Sequence, residues 1–107
     1  MDKQLIINAL SPYQHKAVHI EKGWDFKVQG SPLIPATGVT MKLYFNGEVI
    51  DISFRLGVSS VIASLKGLKA TEFIVEYIHN NRVICTLGCK KVRDHVESKP
   101  VRNPVMF

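Results

Sequence analysis

The sequence predicts an all-β fold, an antiparallel sandwich of about seven to eight short strands followed by a flexible C-terminal tail. Three observations predict it. Asn46-Gly47 sits midway in a run whose apolar residues alternate, which is the signature of a two-residue hairpin. A second tight turn at Asn80-Asn81 lies between two runs rich in β-branched and aromatic residues. Further candidate strands recur at the spacing of about 8 to 12 residues typical of sandwiches and small barrels. The chain has 107 residues, enough for one core and too few for two. Its 46% hydrophobic and 21% charged content exclude disorder along the whole length.

Three parts are expected along the chain: an N-terminal arm over 1–14, the sandwich over 15–96, and a basic, proline-containing tail over 97–107. In the arm, Leu5, Ile6, Ile7, Ala9 and Leu10 form too short an apolar stretch for a signal-peptide core, and Asp2 stands where basic residues belong. No run approaches the roughly 18 apolar residues that span a bilayer. A soluble protein made in a cytoplasm, with no membrane partner, is therefore expected.

Residues 16–21 and 24–28 flank Lys22-Gly23 and read as two strands joined tightly. A helical alternative competes over the first of them. Ser11-Pro12-Tyr13-Gln14 has the form of a capping box with proline at the first helical position, and Tyr13, Ala17 and Ile20 would share a helical face. The strand reading is preferred because Val18 and Ile20 are β-branched and Trp24, Phe26 and Val28 alternate. Two prolines make 30–38 a loop.

The Asn46-Gly47 hairpin then sets Leu43 opposite Ile50, Met41 opposite Ile52 and Val39 opposite Phe54 on one face. Lys42, Asp51, Ser53 and Arg55 occupy the other, which faces water. Residues 58–65 add a strand that Lys66-Gly67 ends. The second hairpin pairs 73–78 with 83–87, setting Ile78 opposite Val83, Tyr77 opposite Ile84 and Ile74 opposite Leu87.

No cofactor, metal or catalytic group is expected. His15 and His19 converge on one metal only from a helix, and Cys85, Cys89 and His95 lack a C-x2-C pair. In a strand Cys85 and Cys89 would lie about 13 Å apart, too far to bridge. The serines at 53, 59, 60 and 64 and the histidines at 79 and 95 belong to no nucleophile motif, and no phosphate-cradling glycine loop occurs.

The net charge of +5 raises the question of a polyanionic partner. Most of that excess lies in residues 90–102, where Lys90, Lys91, Arg93, Lys99 and Arg102 outnumber Asp94 and Glu97. The alternative function this leaves is a single-stranded nucleic-acid-binding barrel that stacks bases on Trp24 and Phe26 beside Lys22 and Lys27.

From residue 18 to 96 the order of features resembles the N-terminal β-sandwich domain of phage baseplate upper proteins. The residues that carry the likeness are Val18-His19-Ile20, then Glu21 to Phe26, then Ala36-Thr37-Gly38-Val39-Thr40-Met41, then the Asn46-Gly47 hairpin. Phe73 to Tyr77, Asn80 to Val83, Leu87-Gly88 and Lys91-Val92 look like its closing hairpin. Residues 65–73 also resemble the approach to the aromatic corner of immunoglobulin-like sandwiches. The phage likeness implies a non-enzymatic structural or assembly protein of the virion that docks on other phage structural proteins, commonly as a homo-oligomer. The expected partner contacts are Tyr44 and the tail residues Lys99, Arg102, Met106 and Phe107, since a short apolar-ended tail can order on a neighbour's groove. A phage-encoded inhibitor of a host protein is the third possibility.

Overall fold

A computed structural model describes residues 2–19 and 21–92. The described residues are β-rich, with five antiparallel strands in one sheet and two short helices. The sheet order is β1-β5-β4-β2-β3, from β1 (Trp24–Gly30), β2 (Val39–Phe45), β3 (Glu48–Ile52), β4 (Glu72–His79) and β5 (Arg82–Lys91). The helices are α1 (Lys3–Leu10) and α2 (Val58–Leu65). No helix among the described residues is long and apolar enough to cross a membrane.

The expected second sheet of the sandwich is replaced by a helical layer. Val58, Val61, Ile62 and Leu65 fall at i, i+3, i+4 and i+7, so a segment read as a strand from its β-branched residues instead buries one side as a helix. The backbone of Gly57 receives the first turn, its carbonyl accepting from the N–H groups of Ser60 and Val61 at 3.1 Å. The N-terminal arm is likewise part of the core. Asp2 caps α1 by accepting from the Gln4 N–H at 3.0 Å, and Ile6 and Leu10, four residues apart, are both 0% exposed. α1 packs on α2 and on β3.

Residues 11–19 and 21–23 follow neither expectation in full. Ser11–Tyr13 form one 3-10 turn with Pro12 in its first turn; Gln14 caps it, its N–H donating to the Ser11 carbonyl at 3.2 Å, and His15 follows in the left-handed region at φ 65°. Residues 16–19 and 21 take no regular structure, so neither the strand nor the longer helix forms there.

Both turns stand where the sequence places them. Asn46 (φ 55°) and Gly47 (φ 80°) join β2 to β3, with Leu43 opposite Ile50 and Met41 opposite Ile52. β3 ends at Ile52, so Phe54 packs against the core from outside the ladder instead of pairing with Val39. Asn80 and Asn81 (φ 53° and 62°) join β4 to β5 with Ile78 opposite Val83 as expected. Beyond that pair the register shifts: Tyr77 pairs with Cys85 and Ile74 with Gly88, because Ile84 is an extra residue bulged out of β5. The shift moves Leu87 to the helix side of the sheet beside Val75.

The core lies between the sheet and the helices. Val39, Met41, Leu43, Ile50, Ile52, Phe73, Val75, Tyr77, Cys85 and Cys89 supply the sheet side, and Ile6, Leu10, Val61, Ile62 and Leu65 the helix side. The link from β3 to α2 is pinned through Leu56, whose carbonyl accepts from Tyr77 Oη at 2.7 Å and whose N–H donates to Met41 Sδ at 3.0 Å.

Candidate partner-binding surface

The sheet face away from the helices has no layer over it among the described residues, and the strand register arranges its side chains in rows. One row runs Val49, Tyr44, Ile74, Gly88, Lys27 across β3, β2, β4, β5 and β1. The next runs Asp51, Lys42, Glu76, Thr86, Gln29, and on the other side of the first lies the shorter row Glu72, Lys90, Asp25. Because Gly88 has no side chain, the first row drops between Ile74 and Lys27. The result is an open depression of about 720 Å3 whose walls include Asp25, Lys27, Tyr44, Val49 and Ile74.

Val49 and Ile74 are each 43% exposed, which makes this row an apolar strip, and a second apolar pair, Ile78 opposite Val83, lies on the same face beside the β4–β5 turn. Tyr44 stands between them, and its hydroxyl donates to Glu76 Oε1 at 2.8 Å. That bond fixes the ring and, with the carboxylate beside it, holds the tyrosine pKa above its ordinary value. Lys42 and Asp51 approach at 3.9 Å. The three lysines of these rows, Lys27, Lys42 and Lys90, are outnumbered by Asp25, Asp51, Glu72 and Glu76. Charges of both signs therefore border the apolar strip in near balance.

Tyr44, expected as a partner contact, therefore lines the depression, while Lys99, Arg102, Met106 and Phe107 lie outside the described residues. The residues of the nucleic-acid alternative are not brought together. Trp24 and Phe26 project to the helix side of β1, where Trp24 packs on Phe73 with ring centroids 5.6 Å apart, and Lys27 projects to the open side. Lys22 precedes the strand.

Sequence reasoning missed a second exposed surface, the edge formed by β1. The helical layer reaches as far as Trp24, whose Nε1 is buried without a hydrogen-bond partner among the described residues. Phe26 is 36% exposed and Val28 53%, so the helix side of β1 opens toward its end. The alternation of Trp24, Phe26 and Val28 marks a strand with one apolar face and does not show that this face is left partly uncovered. Cys85 and Cys89 are unbridged and buried on the helix side, and burial pushes the Cys89 thiol up to about 12.

Compared with family models, curated proteins and solved structures, the chain matches none.

Proposed function

We infer that the protein is a non-enzymatic phage or prophage structural or assembly protein that acts as a protein-binding module in a tail, baseplate or head accessory part. The sandwich that the phage likeness implied is absent from the described residues, so the weight of this reading passes from the fold to the surface. The observation that carries it is the Val49, Tyr44, Ile74 strip beside the dip at Gly88, bordered by charges of both signs. A half-buried aromatic held in place by a hydrogen bond, with aliphatic neighbours and a polar rim, has the anatomy of a protein interface core. The same near-neutral charge balance favours this reading over nucleic-acid binding.

The test compares two variants of this strip. A Cβ at Gly88 would meet Lys27 Cβ at 3.9 Å, an ordinary contact, so Gly88→Leu fills the dip without backbone collision. Tyr44→Ala removes the anchor. In particles purified on a density gradient from cells that produce the phage, the chain should co-sediment with virions, and both variants should be lost from them while remaining folded. Absence of the wild-type chain from particles, or an oligonucleotide affinity that falls steeply with salt and vanishes in Trp24→Ala, would overturn the reading.

A further inference from the structure

The hydrogen-bonding groups of the β1 edge can be assigned by parity. Val92 N–H donates to Gly23 O at 2.8 Å and Ser31 N–H to Ile84 O at 2.9 Å. Between these two points the β1–β5 register runs without a shift, from Trp24 opposite Lys91 to Gly30 opposite Cys85. Residues of an antiparallel strand alternate between bonding to one neighbour and bonding to the other side. Asp25, Lys27 and Gln29 therefore bond to β5, and the N–H and C=O groups of Trp24, Phe26, Val28 and Gly30 point out of the sheet. Among the described residues no strand pairs on that side.

A strand added at this edge must satisfy two independent conditions. Its own outward-bonding residues must stand opposite Trp24, Phe26 and Val28, and its charges on the open face must answer Asp25 and Lys27. A second β1 running antiparallel about a two-fold axis through Phe26 meets both. Phe26 then faces Phe26, Trp24 faces the second copy's Val28, and Asp25 and Lys27 each face the other's opposite charge. We propose that the protein forms a two-fold homodimer by antiparallel pairing of β1 with β1 of a second copy, centred on Phe26, which joins the two sheets into one.

The neighbouring registers fail on charge. An axis through Asp25 sets Asp25 against Asp25, and one through Lys27 sets Lys27 against Lys27, and like charges directly opposite are destabilising. An axis through Val28 sets Lys27 against Gln29 and Phe26 against Gly30, which loses both ion pairs and the aromatic contact. Lysine on an edge strand commonly guards it against pairing. Here Asp25, two residues away on the same face, turns that guard into a partner, and of these four registers the one centred on Phe26 alone makes both ion pairs. On the helix side, the exposed Phe26 and Val28 of both copies come together along the joint, beside Trp24.

Such a two-fold axis is perpendicular to the sheet, so both open faces look the same way. If the open-face depression is a docking site, as proposed above, the dimer presents two of them flanking the axis, each walled by its own Asp25 and Lys27. That consequence rests on the proposed function, and the dimer itself does not.

The test is sedimentation equilibrium of the full chain. A single strand pair lies at the small end of protein interfaces, so loading concentrations should reach about 1 mM. Asp25→Lys or Lys27→Asp alone sets like charges against each other twice and should raise the dimer dissociation constant by about tenfold or more. The double variant Asp25→Lys/Lys27→Asp reverses the pattern and should restore dimerisation. Both positions are exposed, and thermal unfolding should show that all three variants are folded. A wild-type chain that stays monomeric throughout, single variants that dimerise like it, or a double variant as weak as the singles would each overturn the dimer. Virion incorporation of a monomeric chain would leave the proposed function standing without it.

Discussion

β1 and β2 are each seven residues long and carry the same alternation of apolar and polar residues, yet they end in opposite environments. In β2 every second residue is buried, with Leu43 at 0% and Met41 at 1% exposure. In β1 only Trp24 is partly covered, and exposure rises through Phe26 to Val28. Alternation records which residues share a face of the sheet, and it is silent on whether anything covers that face. Coverage is decided by α1 and α2, which pack together with α1 against β3 at the far edge from β1. β2, β3, β4 and β5 therefore supply a core on the helix side, and β1 is left as a surface.

This contrast is sharpest in core truncations. Leu43→Ala removes a fully buried side chain at the centre of the sheet and should cost about 3 kcal/mol. Val28→Ala, half exposed at the edge, should cost less than about 1 kcal/mol. Urea unfolding monitored by circular dichroism separates the two, and equal costs would mean that β1 is as well covered as β2.

Glycines at the ends of the two strands should differ next. Gly30, at φ +94°, ends β1 where an added Cβ would collide with the Ile84 carbonyl oxygen at the bulge. Gly47, at φ +80°, has open space around it in the β2–β3 turn. Gly30→Ala should cost at least about 2 kcal/mol, combining collision with left-handed strain, and Gly47→Ala about 1 kcal/mol from strain alone. The same unfolding assay measures both.

The two tyrosines contrast the covered and open faces of neighbouring strands, Tyr77 on β4 and Tyr44 on β2. Tyr77→Phe strips the donor from a buried bond to Leu56 and should cost about 1 to 2 kcal/mol, whereas Tyr44→Phe on the open face should cost less than about 0.5 kcal/mol. Burial pushes Tyr77 from 10.0 up to about 12. An acid whose folded pKa is raised binds its proton more tightly when native, so its contribution to stability is complete below pH 10 and declines as pH rises from 10 toward 12. Cys89 adds a loss of the same sign, beginning near pH 9. Tyr77→Phe should flatten the slope of unfolding free energy between pH 10 and 12, and a slope unchanged from wild type would contradict burial as the cause.

The smallest effect belongs to the open-face ion pair. Lys42→Ala breaks a 3.9 Å contact to an Asp51 whose side chain is 87% exposed, and it should shift unfolding by no more than about 0.5 kcal/mol.

The legible parts of the fold are those specified by local chemistry. Asn46-Gly47 and Asn80-Asn81 take positive φ at both central positions, which gives both hairpins, and the first register follows from them. The second register slips beyond Ile78 and Val83 because Ile84, as apolar and β-branched as Val83 before it, carries no mark of a bulge. α2 is not legible as a helix because Val58, Val61 and Ile62 suit both states, and the deciding spacing runs over only eight residues. α1 was too short to stand out, and it folds because Ile6 and Leu10 find α2 and β3 to pack on. Tyr44 was legible as an exposed aromatic, but its place beside Gly88 depends on β2 and β5 lying on either side of β4, a strand order that local patterns do not encode. The edge position of β1 is invisible for the same reason, although the Asp25-Phe26-Lys27 sequence already holds the charge symmetry that the edge makes meaningful.

Among the described residues β1 is an open edge, and residue-resolved amide hydrogen exchange tests this most directly. In dilute solution the Asp25, Lys27 and Gln29 amides, bonded to β5, should be protected, while those of Phe26, Val28 and Gly30 exchange rapidly. Protection of Phe26 and Val28 should then grow as the chain is concentrated. Dilute-solution protection of Phe26 and Val28 equal to that of Asp25 and Lys27 would contradict the open edge.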